Sequence, residues 1–482
     1  MANENNEFVY PILVGRAVIE TAYDYIDRTN IIEVLGKAIG IHQKNQAQET
    51  YLYNYYCGDQ PILYREKMYN KEINNKVVEN RAYEIVSFKS GYLMGEPIQY
   101  INRSGREELK DDINRLNDYC FIEDKASKDK ELADWFSIVG TSYRLVLPNP
   151  KYVEGSKDES PFIIDTPDPR NAFVIYHSGH DHRPLAGALV STDPVSGSII
   201  YTVYTDSECI TVSGGTAIDK IEPHLFGMIP LIEYPANKPR IGDFEVVIRL
   251  LDAINDVESG RIDAIDNFVQ AILMFKGVDV ESEAIAAIKD LGAMCVPADG
   301  DVKYITQELN QEQTQTLVNY MYQAVLTIVG MPNRNGGTST SDTGSAVILR
   351  DGWSSAEARA KDSELMFKPS EKAFLRLAMR ITNFVNVREP LDLGLADIEI
   401  RFTRRNYENI QMKAQVLLQM LSTEKIHPKL AFDHCGMFSD PTLAYTMSMD
   451  NYERIQREEE ALLKDENRET EEPVAEEPSA EE

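Results

Sequence analysis

Basic charge is what this sequence has least of for its size. Its 482 residues carry 49 Lys and Arg against 78 Asp and Glu, a formal net charge of −29. A chain that wraps nucleic acid tightly needs a cationic surface to displace counterions, so tight wrapping is disfavoured, whereas passage of DNA without adhesion is not. Cysteine is sparse too. Cys57, Cys120, Cys209, Cys295 and Cys435 are odd in number and scattered, without metal-ligand spacing. That pattern fits buried thiols in a reducing compartment better than a disulfide framework. No apolar run reaches the length of a membrane span; the run Phe8 to Val14 is short and contains Pro11. The first residues are acidic rather than basic, so no secretory signal is read and the expectation is a protein soluble when made. No repeat of fixed period appears, which argues against a helical solenoid.

Catalytic signatures are missing as well. The phosphate loop G-x-x-x-x-G-K-[ST], the dinucleotide turn G-x-G-x-x-G, the zinc helix H-E-x-x-H and the nucleophile elbow G-x-S-x-G are all absent. His177, His180, Asp181 and His182 form one cluster with the look of metal ligands, but a solvated hairpin turn around Gly179 accounts for it equally well. Asp252 and Asp256 share a helix face at i, i+4, where a metal site would add a His or Glu from a facing helix. A solvated acidic face is the simpler reading. The chain reads as a non-enzyme without cofactors.

What is present is a long helical stretch interrupted by a polar loop. Val247, Leu251, Ile254, Val257, Ile262, Ile265, Phe268 and Ile272 recur mostly at steps of three or four, one apolar stripe on a helix over 242–273. A second helix over 308–330 repeats the stripe through Leu317, Met321, Val325 and Ile328, and Gly330 with Pro332 should end it. Between them, 274–307 reads as a small α/β insertion. Next come Arg334, Asn335, two glycines, Thr338, Ser339, Thr340, Ser341 and Asp342, too polar to bury and free to bend. A very long helix follows over about 346–387, with Pro369 expected to kink it.

The flanks read as follows. Helices are predicted over about 29–45, 77–92 and 109–141, with strands over 98–101 and 143–147. Short alternating segments separated by turn residues make a β-domain over about 161–234. A strand at 398–402 precedes a helical region over 406–468, broken at His427-Pro428 and Ser439-Asp-Pro441. The Glu- and Pro-rich 469–482 reads as a disordered acidic tail.

Several short segments, in this order and spacing, resemble the portal proteins of tailed bacteriophages, particularly siphophages of Gram-positive hosts. They are Phe88-Lys-Ser-Gly-Tyr-Leu-Met-Gly-Glu-Pro-Ile-Gln-Tyr100, Ile138-Val-Gly-Thr-Ser-Tyr143, Pro167-Asp-Pro-Arg-Asn-Ala-Phe-Val-Ile-Tyr176, Phe226-Gly-Met-Ile-Pro-Leu-Ile-Glu233 and Asp342-Thr-Gly-Ser-Ala-Val-Ile-Leu349. The resemblance implies a mixed α/β, mainly helical portal fold. Its parts would be an N-terminal arm and wing over 1–241, a stem helix over 242–273, and a clip over 274–307. A second stem helix over 308–330, a tunnel loop over 331–344, a long kinked helix with a strand returning to the wing over 345–405, and a crown over 406–468 would complete it. It also implies a dodecameric ring at one capsid vertex, through which double-stranded DNA is packaged and ejected without sequence recognition. Terminase, a head-completion adaptor, and the major capsid and scaffolding proteins would be partners, with no membrane involved. The location would be the virion, and the host cytoplasm during assembly. Arg334, Asn335, Thr338, Ser339, Thr340, Ser341 and Asp342 would line the channel. A structural head-tail ring without DNA contact, and a metal-dependent nucleic-acid enzyme using the helical aspartates, are the alternatives.

Overall fold

The computed structural model describes residues 13–68, 71–269, 272–276, 301–305, 311–333, 352–404, 410–423, 425–438 and 441–469. The fold is mixed α/β, about half helical. It divides into two compact units, residues 1–339 with 349–404, and residues 340–348 with 405–482.

In the first unit, β1 (Ile19–Thr21) leads to α1 (Ile31–Cys57), α2 (Arg81–Leu93), β2 (Gln99–Asn102), α3 (Lys110–Ile122), α4 (Lys125–Val139) and β3 (Thr141–Pro148). The tyrosine-rich run prolongs α1 well past residue 45. Tyr51 and Tyr55 enter the core, Tyr53 stacks on Trp135 at 5.2 Å, and Gly58 at φ 102° stops the helix. α2 starts four residues later than its apolar pattern predicts. The N–H groups of Val77 and Glu79 are taken by Ser259 Oγ at 2.9 Å and Asn255 Oδ1 at 2.8 Å, so they are held outside the helix. The single helix expected over 109–141 is two, broken at Asp124 in the left-handed region at φ 54°. Neither glycine nor proline marks this break. Tertiary contacts hold it: Glu123 accepts the Ile164 N–H at 3.0 Å, and Lys125 is buried.

Next come β4 (Phe162–Asp165), β5 (Ala172–His177), β6 (Pro184–Thr192), β7 (Ile199–Tyr204), β8 (Glu208–Ser213), β9 (Ala217–Pro223) and β10 (Leu231–Pro235). The expected single β-domain sheet over 161–234 is replaced by two sheets. One has the order β1-β5-β6-β7-β8-β9, antiparallel except that β1 joins β5 in parallel; the other is β10-β3-β4. β1 is only three residues, and β9 has no buried face, so neither shows in the apolar pattern. Ile31, Val34, Leu35 and Ala38 of α1 cover the larger sheet at Phe173, Ile175 and Val203.

The unit closes with α5 (Ile248–Val269), β11 (Ile272–Lys276), β12 (Asp301–Ile305), α6 (Gln311–Val329), α7 (Trp353–Val385) and β13 (Ile398–Arg401). α5 is shorter than the helix expected over 242–273. A 3-10 turn, Glu245–Val247, leads into it, and Ile272 belongs to β11, opposite Ile305 of β12. Of the α/β insertion predicted over 274–307, residues 277–300 and 306–307 lie outside the described residues. β13 returns to pair antiparallel with β2, Ile400 facing Tyr100.

α7 runs through Pro369, which offers no N–H to the Leu365 carbonyl. The residues just after it are tied sideways. Ser370 Oγ donates to the Glu233 carbonyl at 2.6 Å, and Glu371 enters a buried knot with Lys125, Asp129 and Arg144. Lys125 reaches Asp129 at 2.6 Å and Glu371 at 2.7 Å; Arg144 pairs with Asp129 and lies 3.1 Å from Glu371. Tyr100 and Tyr234 donate to Glu371 at 2.5 and 2.8 Å. Two cations meet two anions, so the knot is neutral. Burial pushes the Glu371 carboxyl up, but Lys125 and Arg144 outweigh it and hold the group near 2.

The second unit holds α8 (Ile410–Leu421), α9 (Pro428–Cys435) and α10 (Pro441–Glu469). Pro428 and Pro441 occupy first helical positions, where a missing N–H costs nothing. His427 Nδ1 accepts the Lys429 N–H at 3.2 Å as the cap of α9. Residues beyond Glu469, the expected acidic tail, lie outside the described set.

Candidate functional site

α5 carries a polar stripe, Asp252, Asn255, Ser259, Asp263 and Asp266, at steps of three and four along one face. The solvated face expected at Asp252 and Asp256 holds for Asp256 and not for Asp252, and the stripe beside it clamps the segment 60–80. Asp263 takes Arg65 at 2.7 Å, Lys67 at 2.5 Å and the Asn75 backbone N–H at 2.7 Å; Asp266 takes the Asn75 amide at 2.7 Å. Asn255 donates to Gln60 at 2.5 Å. Burial pushes the Asp263 carboxyl up, but Lys67, Asn75 and Arg65 more than offset it and hold it below the usual range. Asp252 differs. Among the described residues it accepts the Tyr55 hydroxyl at 3.0 Å, with Arg249 at 3.9 Å, and burial raises it to about 6. Asp256 is exposed.

α6 has the opposite character. From Gln313 to Asn333 no side chain is charged. Val318, Val325, Leu326 and Val329 pack on Leu251, Ile254 and Tyr55. Tyr322 donates to Glu84 at 2.9 Å beneath the Arg81 guanidinium. Leu317, Tyr320 and Ile328 share an outer ridge; Tyr320 is 72% exposed and Leu317 48%. Gly330, at φ 71°, ends the helix as its sequence predicts.

The end of α6 meets the start of α7. A Cβ on Gly330 would lie 2.8 Å from Arg359 Cγ, and one on Gly352 would lie 3.7 Å from Pro332 Cα. Asn333 donates to Gln323 at 2.8 Å. Pro332 and Gly352, the described residues near either side of 334–351, therefore lie close together. Arg334, Asn335, Thr338, Ser339, Thr340, Ser341 and Asp342, and Arg350 after them, lie outside the described residues. Arg359 is exposed, with its stem over Gly330.

The other candidates resolve into local contacts. His177 Nδ1 lies 2.9 Å from Asp181, and His182 Nδ1 lies 3.3 Å from Glu20, beside the β5–β6 turn. Among the described residues no three His, Cys, Asp or Glu side chains converge as a metal site. No described helix is long and apolar enough to cross a membrane. Cys120 and Cys435 are buried as expected, but Cys57 is exposed at the end of α1.

Two polar clusters were not legible in sequence, because their members come from distant elements. One is the knot around Glu371. The other lies between β1, α1 and β10, where Arg16 donates to Glu245 at 2.6 Å. There Arg16 and Glu49 line a cavity of about 10 Å³, room for one water. Burial, against the pull of Arg16, raises the Glu49 carboxyl to about 8.

Many solved structures match the fold, two of them from gene transfer agent particles. The neck of an empty gene transfer agent particle, computed with C6 symmetry, matches with TM-score 0.43 and 11% identity over 74% of this chain and 90% of that one. A chain of the native gene transfer agent virion matches with TM-score 0.45 and 11% identity, over 81% and 93%. No curated protein matches the sequence. The family model for phage portal proteins of the SPP1 Gp6-like type matches residues 35–472. This match spans α5, α6 and the polar sequence 334–351, and the family is structural rather than enzymatic. The chain belongs to the SPP1 Gp6-like family of phage portal proteins.

Proposed function

We propose that copies of this chain close into a ring, dodecameric in the capsid, whose channel carries double-stranded DNA into and out of the head. The observation that carries this reading is the close approach of Pro332 and Gly352, which flank the polar, glycine-containing sequence 334–351. That sequence would then leave and rejoin the subunit at one place, as a loop facing the channel would. A loop of this composition touches a duplex without reading bases, through the backbone and through Thr338, Ser339, Thr340 and Ser341, flanked by Arg334, Asn335 and Asp342. The outer ridge of α6 offers neighbouring copies an uncharged contact, as a heterologous ring interface requires. Weak adhesion follows from the net charge and from exposed Asp256 rather than from the whole acidic face of α5, since Asp263 and Asp266 are spent on the segment 60–80. Terminase and the head-completion adaptor would dock at the insertion carried by β11 and β12; capsid and scaffolding proteins would hold the ring at its vertex, after assembly in the host cytoplasm.

The test is the DNA content of heads assembled with variant rings. Removing Gly337 to Thr340 should leave folding and ring closure nearly unchanged, because loop-closure entropy varies slowly with length. Packaging or retention should fall. Lysines at Thr338 and Thr340 should slow DNA movement, and added salt should relieve the defect. Normal packaging and retention by both variants, in intact rings, would leave a structural ring whose loop does not touch DNA.

A further inference from the structure

The half of α7 after Pro369 turns Glu371, Phe374, Leu375, Ala378 and Ile381 into the core. Its opposite side is cationic. Lys372, Arg376 and Arg380 recur at four-residue steps, one ridge of roughly 12 Å, and all three are exposed. Before Pro369 the lysines are matched within the helix, Lys361 with Glu357 and Lys368 with Glu364. After it that matching stops: among the described residues Lys372, Arg376 and Arg380 form no ion pair. Arg380 donates to the carbonyls of Phe226 at 3.2 Å and Gly227 at 2.9 Å, which orient the guanidinium without cancelling its charge. Beside the ridge runs a groove of about 630 Å³ lined by Arg376 and Arg380 together with Met379, Phe384, Leu393 and Leu395. Phe384 is 57% exposed, and Leu225, next to the carbonyls that hold Arg380, is 77% exposed.

On a chain of net charge −29, a row of unmatched cations beside exposed apolar side chains is a complementary surface, not a solvated face. We propose that this groove docks an acidic segment of another protein that also carries aliphatic or aromatic side chains. Carboxylates of the segment pair with Lys372, Arg376 and Arg380, and an apolar side chain enters between Phe384, Leu393 and Leu395. Duplex DNA fits less well, since it offers phosphates but nothing to cover Phe384 and Leu225. The proposal does not depend on the channel reading, because it concerns a surface made of residues outside 331–344.

The experiment titrates the purified full-length protein with a fluorescein-labelled peptide rich in glutamate and leucine. A glutamine-for-glutamate version and a short duplex DNA are run beside it. The acidic peptide should bind, and added salt should weaken it. The double substitution K372Q/R376Q should weaken it about tenfold, and Phe384→Ser should weaken it with the charges intact. Both variants change exposed side chains and should melt as the parent does. The idea is overturned if the acidic peptide does not bind the parent, or if K372Q/R376Q binds it equally well. Equal binding of the glutamine peptide, or preference for the duplex, overturns it too. A change of assembly state in K372Q/R376Q would put a second copy on this face and overturn it as well.

Discussion

α5 and α6 lie side by side and share one apolar seam, yet they use their other faces in opposite ways. α5 is rich in carboxylates, and its buried polar stripe is committed inside its own subunit, gripping residues 60–80 through Asn255, Ser259, Asp263 and Asp266. α6 carries no charge from Gln313 to Asn333 and leaves Leu317, Tyr320 and Ile328 uncovered. The lesson is that charge along a helix is a poor guide to which face meets solvent. A carboxylate with three donors is an internal strut, and an uncharged helix with an apolar ridge is the one left with an open surface.

The comparison breaks most visibly at the α6 ridge. Replacing Leu317 and Tyr320 together by glutamate should abolish assembly, giving monomers in sedimentation, while the circular-dichroism melt of the subunit shifts little. Rings that persist in this double variant would show that the ridge faces no neighbour.

Next in size is Asp263→Ala. It removes the carboxylate partner of Arg65 and Lys67 and releases the Asn75 N–H, and should destabilise the subunit by about 2–3 kcal/mol in urea unfolding. Hydrogen exchange should rise first in residues 60–80. If exchange rises uniformly instead, the stripe is not the specific anchor of that segment.

Asp252 sharpens the contrast, because it sits on the same face without a full set of donors. Its folded value, about 6, lies above its ordinary 3.8, so the native state holds the proton more tightly than the unfolded chain. Its contribution to stability is therefore intact below about pH 4 and is lost as pH rises through 6. Asp252→Asn keeps an acceptor for the Tyr55 hydroxyl and should stabilise the protein by about 1–2 kcal/mol at pH 7, with no gain near pH 4. A gain independent of pH would place the effect elsewhere.

The smallest effect is expected at the chain end. Deleting 469–482 removes Glu, Pro and small residues without a large apolar anchor, so melting temperature and assembly should stay as they were. Failure to assemble would mean the tail packs against something.

Sequence alone determined much here, for a definite reason. Wherever apolar residues recur at the helical period between strong stop signals, local chemistry suffices: α6 ends at Gly330, and α9 and α10 begin at Pro428 and Pro441. The polar composition of 334–342 and the acidic balance of the chain are likewise properties of the residues themselves. Tertiary structure decided what depends on partners far along the chain. The break at Asp124 carries no Gly or Pro and is flanked by long-range contacts, Glu123 with the Ile164 N–H and Lys125 with Glu371. The late start of α2 reflects donors taken by α5, nearly two hundred residues away. β1 joins a sheet through three residues too few to show a period. Which carboxylates face water was decided the same way: Asp256 and Asp263 look alike in the sequence, and only the fold brings Arg65, Lys67 and Asn75 to one of them. A periodic pattern reports that a face is buried, but the pairing of buried charges is set by long-range geometry that no local window contains.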